Sequence, residues 1–304
     1  MHDISLGPMK DTQWGAVAAL IHLSTNAWYL AHGKPAIFTG EPSDCEVFCQ
    51  VYEALDPRCC LVAVDDATGD LVGSCFFHPR PRHISVGMVN THPAHFGKGI
   101  ARRMLEEVLA LAEREGKPVR LVSSAMNLDS FSLYSRAGFV PRLTFQDLYL
   151  PDTSRLPPPD PRVRPATPDD VMRLAALERE LVGIDREKDY AYFTANTTGI
   201  WSGSVYEGEK GTLEGYLFAV THPASNLLGP GVARTEAVAA ALIAAERVKH
   251  PANPVFLVPA TCTGLIQTLY GWGARNCEIH FAQVRGAWIE PRGVVLPTFL
   301  PETG

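Results

Sequence analysis

The chain has 304 residues, about twice the usual single-domain length, which sets an expectation of two domains. Its 27 Lys and Arg against 33 Asp and Glu leave a formal charge of −6, so no nucleic-acid partner held by phosphate neutralisation is expected. Hydrophobic residues at 46% and charged residues at 20% supply two cores and exclude bulk disorder.

In chain order, the pattern opens with a short strand near Ile4 and helical segments over 12–24 and 44–55. Apolar runs at 59–64 and 71–77 flank the turn residues Asp65 to Asp70 and read as a hairpin. A strand follows over 84–91. Within 99–115, Ile100, Leu105, Val108, Leu109 and Ala112 share one helical face, with charges opposite. Next come a strand at 119–125, a helix at 129–137 with an acidic opening and a stop at Gly138, and strands at 139–140 and 144–150. Five prolines in the eleven residues 151–161 make a stiff extended linker.

Beyond it, helices at 167–181, 235–249 and 263–272 alternate with strands at 201–206, 213–220, 226–233, 255–259 and 278–284. Pro8 and Pro165 each precede a helix carrying Ala-Ala-Leu (Ala18-Ala19-Leu20 and Ala175-Ala176-Leu177), which points to a duplicated fold. The expected architecture is mixed α/β: two domains, 1–150 and 162–304, each a central twisted mixed sheet flanked by helices. The tail 291–304 is expected to lie extended across a surface.

The stretch from Thr91 to Arg103 carries the chemistry. A strand enters a turn containing Gly97 and Gly99, and a helix starts at once. Backbone N–H groups at such a start hold anions, and Lys98, Arg102 and Arg103 add positive charge, so a phosphorylated group is expected there. Taken alone, the segment is equally a tight turn before a solvated basic helix. Arg102 stands where a dinucleotide fingerprint needs a third glycine, and no Walker ending is present. Downstream, Asn127-Leu-Asp-Ser130 and Tyr134-Ser-Arg-Ala-Gly138-Phe139 form a second patterned segment.

Together the two segments resemble the paired motifs of the GNAT superfamily of N-acetyltransferases, over about residues 4–150. Phe96, Gly97, Lys98, Gly99, Ile100 and Ala101 are similar to its Arg/Gln-x-x-Gly-x-Gly/Ala signature, with Phe96 in place of the polar residue. Residues 127–139 are similar to its Asn-x-x-Ala-x-x-x-Tyr-x-x-x-Gly-Phe motif, with Ser130 in place of Ala. The resemblance implies acetyl-CoA as cosubstrate, lying in a splay between the strands ending at Thr91 and near Ala125. The backbone of Val89 and Thr91 would pair with the pantetheine arm, and N–H groups from Gly97 to Arg102 would hold the pyrophosphate. Asn127 would bond the pantetheine, or simply cap its helix. Tyr134 would protonate the departing thiolate, or simply pack in the core.

The matching position for a basic carboxylate is Ser85, which cannot serve at neutral pH. His83, on the same face of the strand, is the candidate base; its other reading is an exposed strand-end histidine beside Arg80 and Arg82. His78, His92 and His95 are rivals, the last two read as surface turn residues.

In the second half, Gly229-Pro-Gly-Val-Ala-Arg234 imitates the first glycine motif, but Pro230 has no N–H to offer. No Asn opens the second motif there, so a degenerate copy without CoA is expected. The leading expectation is a cytoplasmic N-acetyltransferase acting on a primary amine of a small molecule or peptide. It needs no metal, since the seven cysteines read as buried or half-buried free thiols. A non-catalytic CoA-binding sensor and a protein acetyltransferase are the alternatives. No apolar run is long enough for a membrane span, and residues 1–10 lack a secretory signal.

Overall fold

Capping and glycine positions set the element boundaries of the computed structural model, which describes residues 4–302. Readings that touch residues 1–3 and 303–304 lie outside the described residues. The first half contains β1 (Ile4–Pro8), α1 (Trp14–Ala31), α2 (Glu46–Leu55), β2 (Cys60–Asp65), β3 (Leu71–Pro79), β4 (Ile84–Thr91), α3 (Ile100–Glu115), β5 (Val119–Ser124), α4 (Leu128–Arg136) and β6 (Val140–Tyr149). The second contains β7 (Val163–Pro165), α5 (Val171–Val182), α6 (Glu187–Ala195), β8 (Trp201–Glu207), β9 (Leu213–His222), β10 (Ser225–Ala233), α7 (Glu236–Lys249), β11 (Val255–Pro259), α8 (Thr263–Gly271), β12 (Arg275–Arg285) and β13 (Val294–Leu296). The class is mixed α/β, as the pattern predicts.

Several boundaries differ from the pattern, each for a tertiary reason. Helix α1 runs on past Ser24 because Asn26 ties it to the following loop. Its carboxamide donates to Phe38 C=O at 2.8 Å and accepts from the Ile37 and Phe38 N–H groups at 3.0 Å. The two short strands expected at 139–150 are one strand, β6. Helix α6 had no clear amphipathic stripe to announce it. The tail is not laid across a surface: β13, Leu300 and Glu302 are buried.

The chain packs as two compact units that do not divide at the proline linker. One holds residues up to Pro79, His83–Val119 and Leu300–Glu302. The other holds Arg80–Arg82 and Arg120–Phe299, with the linker inside it. In the first, β1-β2-β3-β4 form an antiparallel sheet with Leu6 opposite Ala63 and Gly73 opposite Thr91. Helix α3 buries Ala112 together with Ile100, Met104, Leu105, Val108 and Leu109, the last five each contributing about 1.5–3 kcal/mol relative to exposure. Its close approach to β3 needs Gly73, where a Cβ would fall 2.8 Å from Ile100 Cγ2.

In the second unit the strand order is β5-β12-β6-β11-β10-β9-β8-β7, with β13 added on β10. The halves therefore exchange strands. β6 lies between β12 and β11, antiparallel to both, and β12 lies between β5 and β6. A core of Leu148, Leu217, Leu228, Leu242, Ile243, Phe256 and Leu269 lies beneath α7 and α8. Beside it, Glu178 is buried and satisfied by Arg186 at 2.7 Å and by the Tyr190 hydroxyl at 2.5 Å.

Candidate active site

The first unit assembles most of the sequence-derived residues. The His92 N–H donates to Val72 C=O at 2.9 Å, with Gly73 opposite Thr91 in the adjoining register. The antiparallel alternation then directs the backbone groups of Thr91 and Val89 away from β3, free of that ladder. Further back, the register slips between Cys75 and Phe77, so Gly87 and Met88 of β4 together face Phe76 in a β-bulge.

Past Thr91 the chain makes a short turn, with the Phe96 N–H bonded to Pro93 C=O at 3.2 Å and the Lys98 N–H to His95 C=O at 3.3 Å. His92 and His95 are turn residues as expected, and His92 Nδ1 accepts from the Ala94 N–H at 3.2 Å. Gly97 and Gly99 both take left-handed φ, 76° and 79°, which side-chain-bearing residues rarely adopt. Gly99 is the N-cap of α3 and offers no side chain to fill the helix start. The first-turn N–H groups of Ile100, Ala101 and Arg102 thus have no acceptor within the helix and face the positive end of its dipole. No atom lies within 4 Å of a Cβ built at Gly97 or Gly99, so the loop is open to a phosphate. Phe96, Lys98 and Arg102 are exposed, and Arg102 pairs with Glu106 at a loose 3.6 Å.

Asn127 and Tyr134 belong to the second unit. Asn127 caps α4, its Oδ1 accepting from the Ser130 N–H at 2.9 Å. Tyr134, in the last turn of that helix, is buried with its ring edge-on to Phe139, centroids 5.8 Å apart. His83 is buried rather than exposed, with Nε2 3.2 Å from Ser85 Oγ. Arg80, beside which it was read as a surface histidine, is itself buried and paired with Asp189 at 2.6 Å.

Three further groups gather at the bulge that sequence reasoning did not single out together. A Cβ at Gly87 would lie 2.8 Å from the Tyr52 hydroxyl and 2.9 Å from Glu302 Oε2. The Tyr52 ring stacks on His78 with centroids 4.4 Å apart, and His78 is held through Nδ1 by Asp56. Tyr52 lies within the helical segment expected at 44–55 and belongs to no motif, and Glu302 sits in a tail with no motif around it. Local pattern carried no signal for either.

Six of the seven thiols are raised above the ordinary cysteine value, chiefly by burial. Burial pushes the thiols of Cys45, Cys49 and Cys75 up to about 12, so they stay protonated at neutral pH. Cys277 is exposed, against the expectation of burial, because β12 turns it outward. Among the described residues, the donor atoms of Asp147, Glu278 and His280 lie within 4.8 Å of one another, a set able to hold a metal ion. Its groups already contact protein partners: His280 Nδ1 is 2.8 Å from Asp147 Oδ2, and Glu278 accepts from the Ser124 hydroxyl.

The second half lacks the features of the loop. Gly229 to Ala233 lie within β10, and α7 is capped by the Thr235 side chain, which accepts from the Val238 N–H at 3.3 Å. Glu236 in its first turn would repel a phosphate. β10 pairs in parallel with β11 only at Leu227 and Leu228. Beyond that, β13 adds antiparallel to it, with Gly231 opposite Leu296 and Ala233 opposite Val294.

Residues 23–139 match the acetyltransferase (GNAT) family. No curated protein matches the chain in sequence. A protein from Pyrococcus horikoshii, solved as a candidate acetyltransferase, superposes with a TM-score of 0.77 at 15% identity, covering 96% of this chain and 94% of that one. A tandem GNAT protein from the clavulanic acid biosynthesis pathway superposes at 0.64 with 16% identity, over 95% and 99% of the two chains. A GCN5-related N-acetyltransferase from Sphaerobacter thermophilus gives 0.63 at 12% identity, over 95% and 98%. Residues 23–139 thus match the acetyltransferase (GNAT) family, and the chain shares the fold of these solved proteins over nearly its whole length.

Proposed function

We propose that the protein is an N-acetyltransferase that moves an acetyl group from acetyl-CoA to a primary amine of a small molecule or peptide, by direct attack on the thioester. The observation that carries this is the loop from Phe96 to Gly99, where two glycines at left-handed φ open an uncapped helix start to a phosphate. Gly97 to Arg102 hold the pyrophosphate, with Lys98 and Arg102 adding charge at the rim. The outward backbone of Val89 and Thr91 takes the pantetheine arm. Tyr134 returns a proton to the CoA thiolate, and the amide end of Asn127 is left to bond the pantetheine while its oxygen caps α4. The raised pKa of six of the seven thiols favours direct attack over an acyl-cysteine route.

The second half serves as a CoA-free copy, since β13 takes the backbone positions on β10 that a pantetheine arm would need. The free thiols and the lack, among the described residues, of a helix able to cross a membrane accord with a cytoplasmic role. The test is calorimetric titration with acetyl-CoA followed by CoA-release assays over an amine panel. One acetyl-CoA per chain and transfer to an amine are expected. Binding without transfer to any amine would favour a CoA-binding sensor instead, and transfer confined to protein acceptors a protein acetyltransferase.

A further inference from the structure

Glu302 reaches the first unit with Leu300 and Pro301, and its side chain is only 4% exposed. Its Oε2 is buried without a hydrogen-bond partner among the described residues, while its backbone N–H donates to the Tyr52 hydroxyl at 3.2 Å. Burying a carboxyl in this state is costly, and a fold keeps such a group where something else comes to meet it. The place is the bulge of β4, where the missing side chain of Gly87 makes room for Glu302 Oε2 and the Tyr52 hydroxyl.

That position matters if acetyl-CoA binds as proposed above, on which this inference rests. With the pyrophosphate at the start of α3 and the pantetheine arm along Thr91 and then Val89, the arm's next step along β4 brings the thioester to Gly87 and Met88. We propose that Glu302 is the general base of the reaction and that the acceptor is a primary amine carried in solution as an ammonium ion. The carboxylate takes one proton from the ammonium nitrogen, whose freed lone pair forms the N–C bond at the thioester carbonyl. The C–S bond breaks with its electron pair leaving on sulfur. The second amine proton offsets the one that the thiolate takes up, and Glu302 releases its own to water. The products are the amide, CoA thiol and one proton.

Burial pushes the Glu302 carboxyl well above the usual carboxylate range, which makes its ionised form a stronger base than an exposed glutamate. The titratable groups facing it are the Tyr52 hydroxyl and, beyond the Tyr52 ring, His78 with its Asp56 partner. Asp56 is committed to His78, and His83 Nε2 lies against Ser85 at the far end of β4.

The test uses the full chain with acetyl-CoA and four probes: putrescine, tyramine and benzylamine as ammonium acceptors, and hydroxylamine as one already neutral at pH 7. Glu302→Gln is expected to lower kcat by about 10²–10⁴ for the three ammonium probes. It should also abolish the acid limb of the pH–rate profile, leave acetyl-CoA affinity unchanged, and affect hydroxylamine much less. Glu302→Asp, which keeps a displaced carboxylate, should retain the acid limb at a reduced kcat, and it carries the test if the Gln variant does not fold. Wild-type kcat and pH profile in either variant would overturn the assignment of Glu302 while leaving the acetyltransferase reading intact. Failure of the wild type to bind acetyl-CoA would overturn both, and transfer to none of the ammonium probes would overturn the acceptor class.

Discussion

Replacing Gly99 by proline tests the phosphate loop at the residue on which its geometry turns. Gly99 has φ 79°, and proline holds φ near −65°, so the backbone must swing through roughly 140° at the N-cap of α3. The change also removes the Gly99 N–H. A charge-assisted hydrogen bond contributes about 1.5–3 kcal/mol, and the swing displaces the neighbouring donors as well. Acetyl-CoA affinity should therefore fall at least about 100-fold, or about 2.7 kcal/mol. Gly99→Ala separates donor from backbone strain. Nothing lies within 4 Å of its Cβ, so the cost is the left-handed conformation alone, about 1–2 kcal/mol of stability. The alanine keeps its N–H, and affinity should change only slightly. Isothermal titration measures the affinities and urea unfolding the stabilities. Wild-type affinity in Gly99→Pro would refute the reasoning, since no phosphate could then depend on this turn.

Tyr134→Phe should lower turnover by about 10²–10⁴ with acetyl-CoA affinity little changed, because a general acid acts in the transition state. Stopped-assay kinetics showing wild-type turnover would remove Tyr134 from the mechanism. Glu178→Leu leaves Arg186 as an unpaired buried cation and should destabilise by about 3–5 kcal/mol, whereas Glu178→Leu with Arg186→Met should recover part of that loss. Chemical unfolding of the three variants checks it, and equal losses in single and double variants would contradict the pairing. The hydrogen bonds of Arg164 hold the Asp170 carboxyl at about 2, below its unfolded value near 3.9. The depressed pKa means that its contribution, up to about 2 kcal/mol, is complete above pH 4 and is lost as pH falls from about 4 to 2. Asp170→Asn should flatten the acid side of the stability profile over that interval, as followed by thermal melts.

The general base shows where sequence reading stops: the matching position is Ser85, and the candidate that the pattern offers instead is His83. The glycine turn before α3, the face of α3 and the cap at Asn127 were legible because each depends on residues within one or two helical turns. Glu302 was not, because Tyr52 and Gly87, which lie beside it, are more than 200 residues away in the chain, and burial is the main influence that raises its carboxyl. His83 was read as exposed because its chain neighbours Arg80 and Arg82 are charged, and local pattern does not report burial.

Periodicity determined the mixed α/β class, the repeat of element order and the glycine turn, since each is written in spacing along the chain. Strand partnership was decided only by the tertiary structure. An apolar strand such as β6 or β12 offers the same unpaired N–H and C=O groups to any neighbour, and its sequence does not say which neighbour will satisfy them. The two halves therefore exchange strands rather than closing separately at the proline linker, and β13 pairs with β10, a partnership that no spacing in the sequence announces. The same freedom of long-range pairing sets the carboxyl of Glu302 beside a bulge that its own stretch of sequence gives no means to foresee.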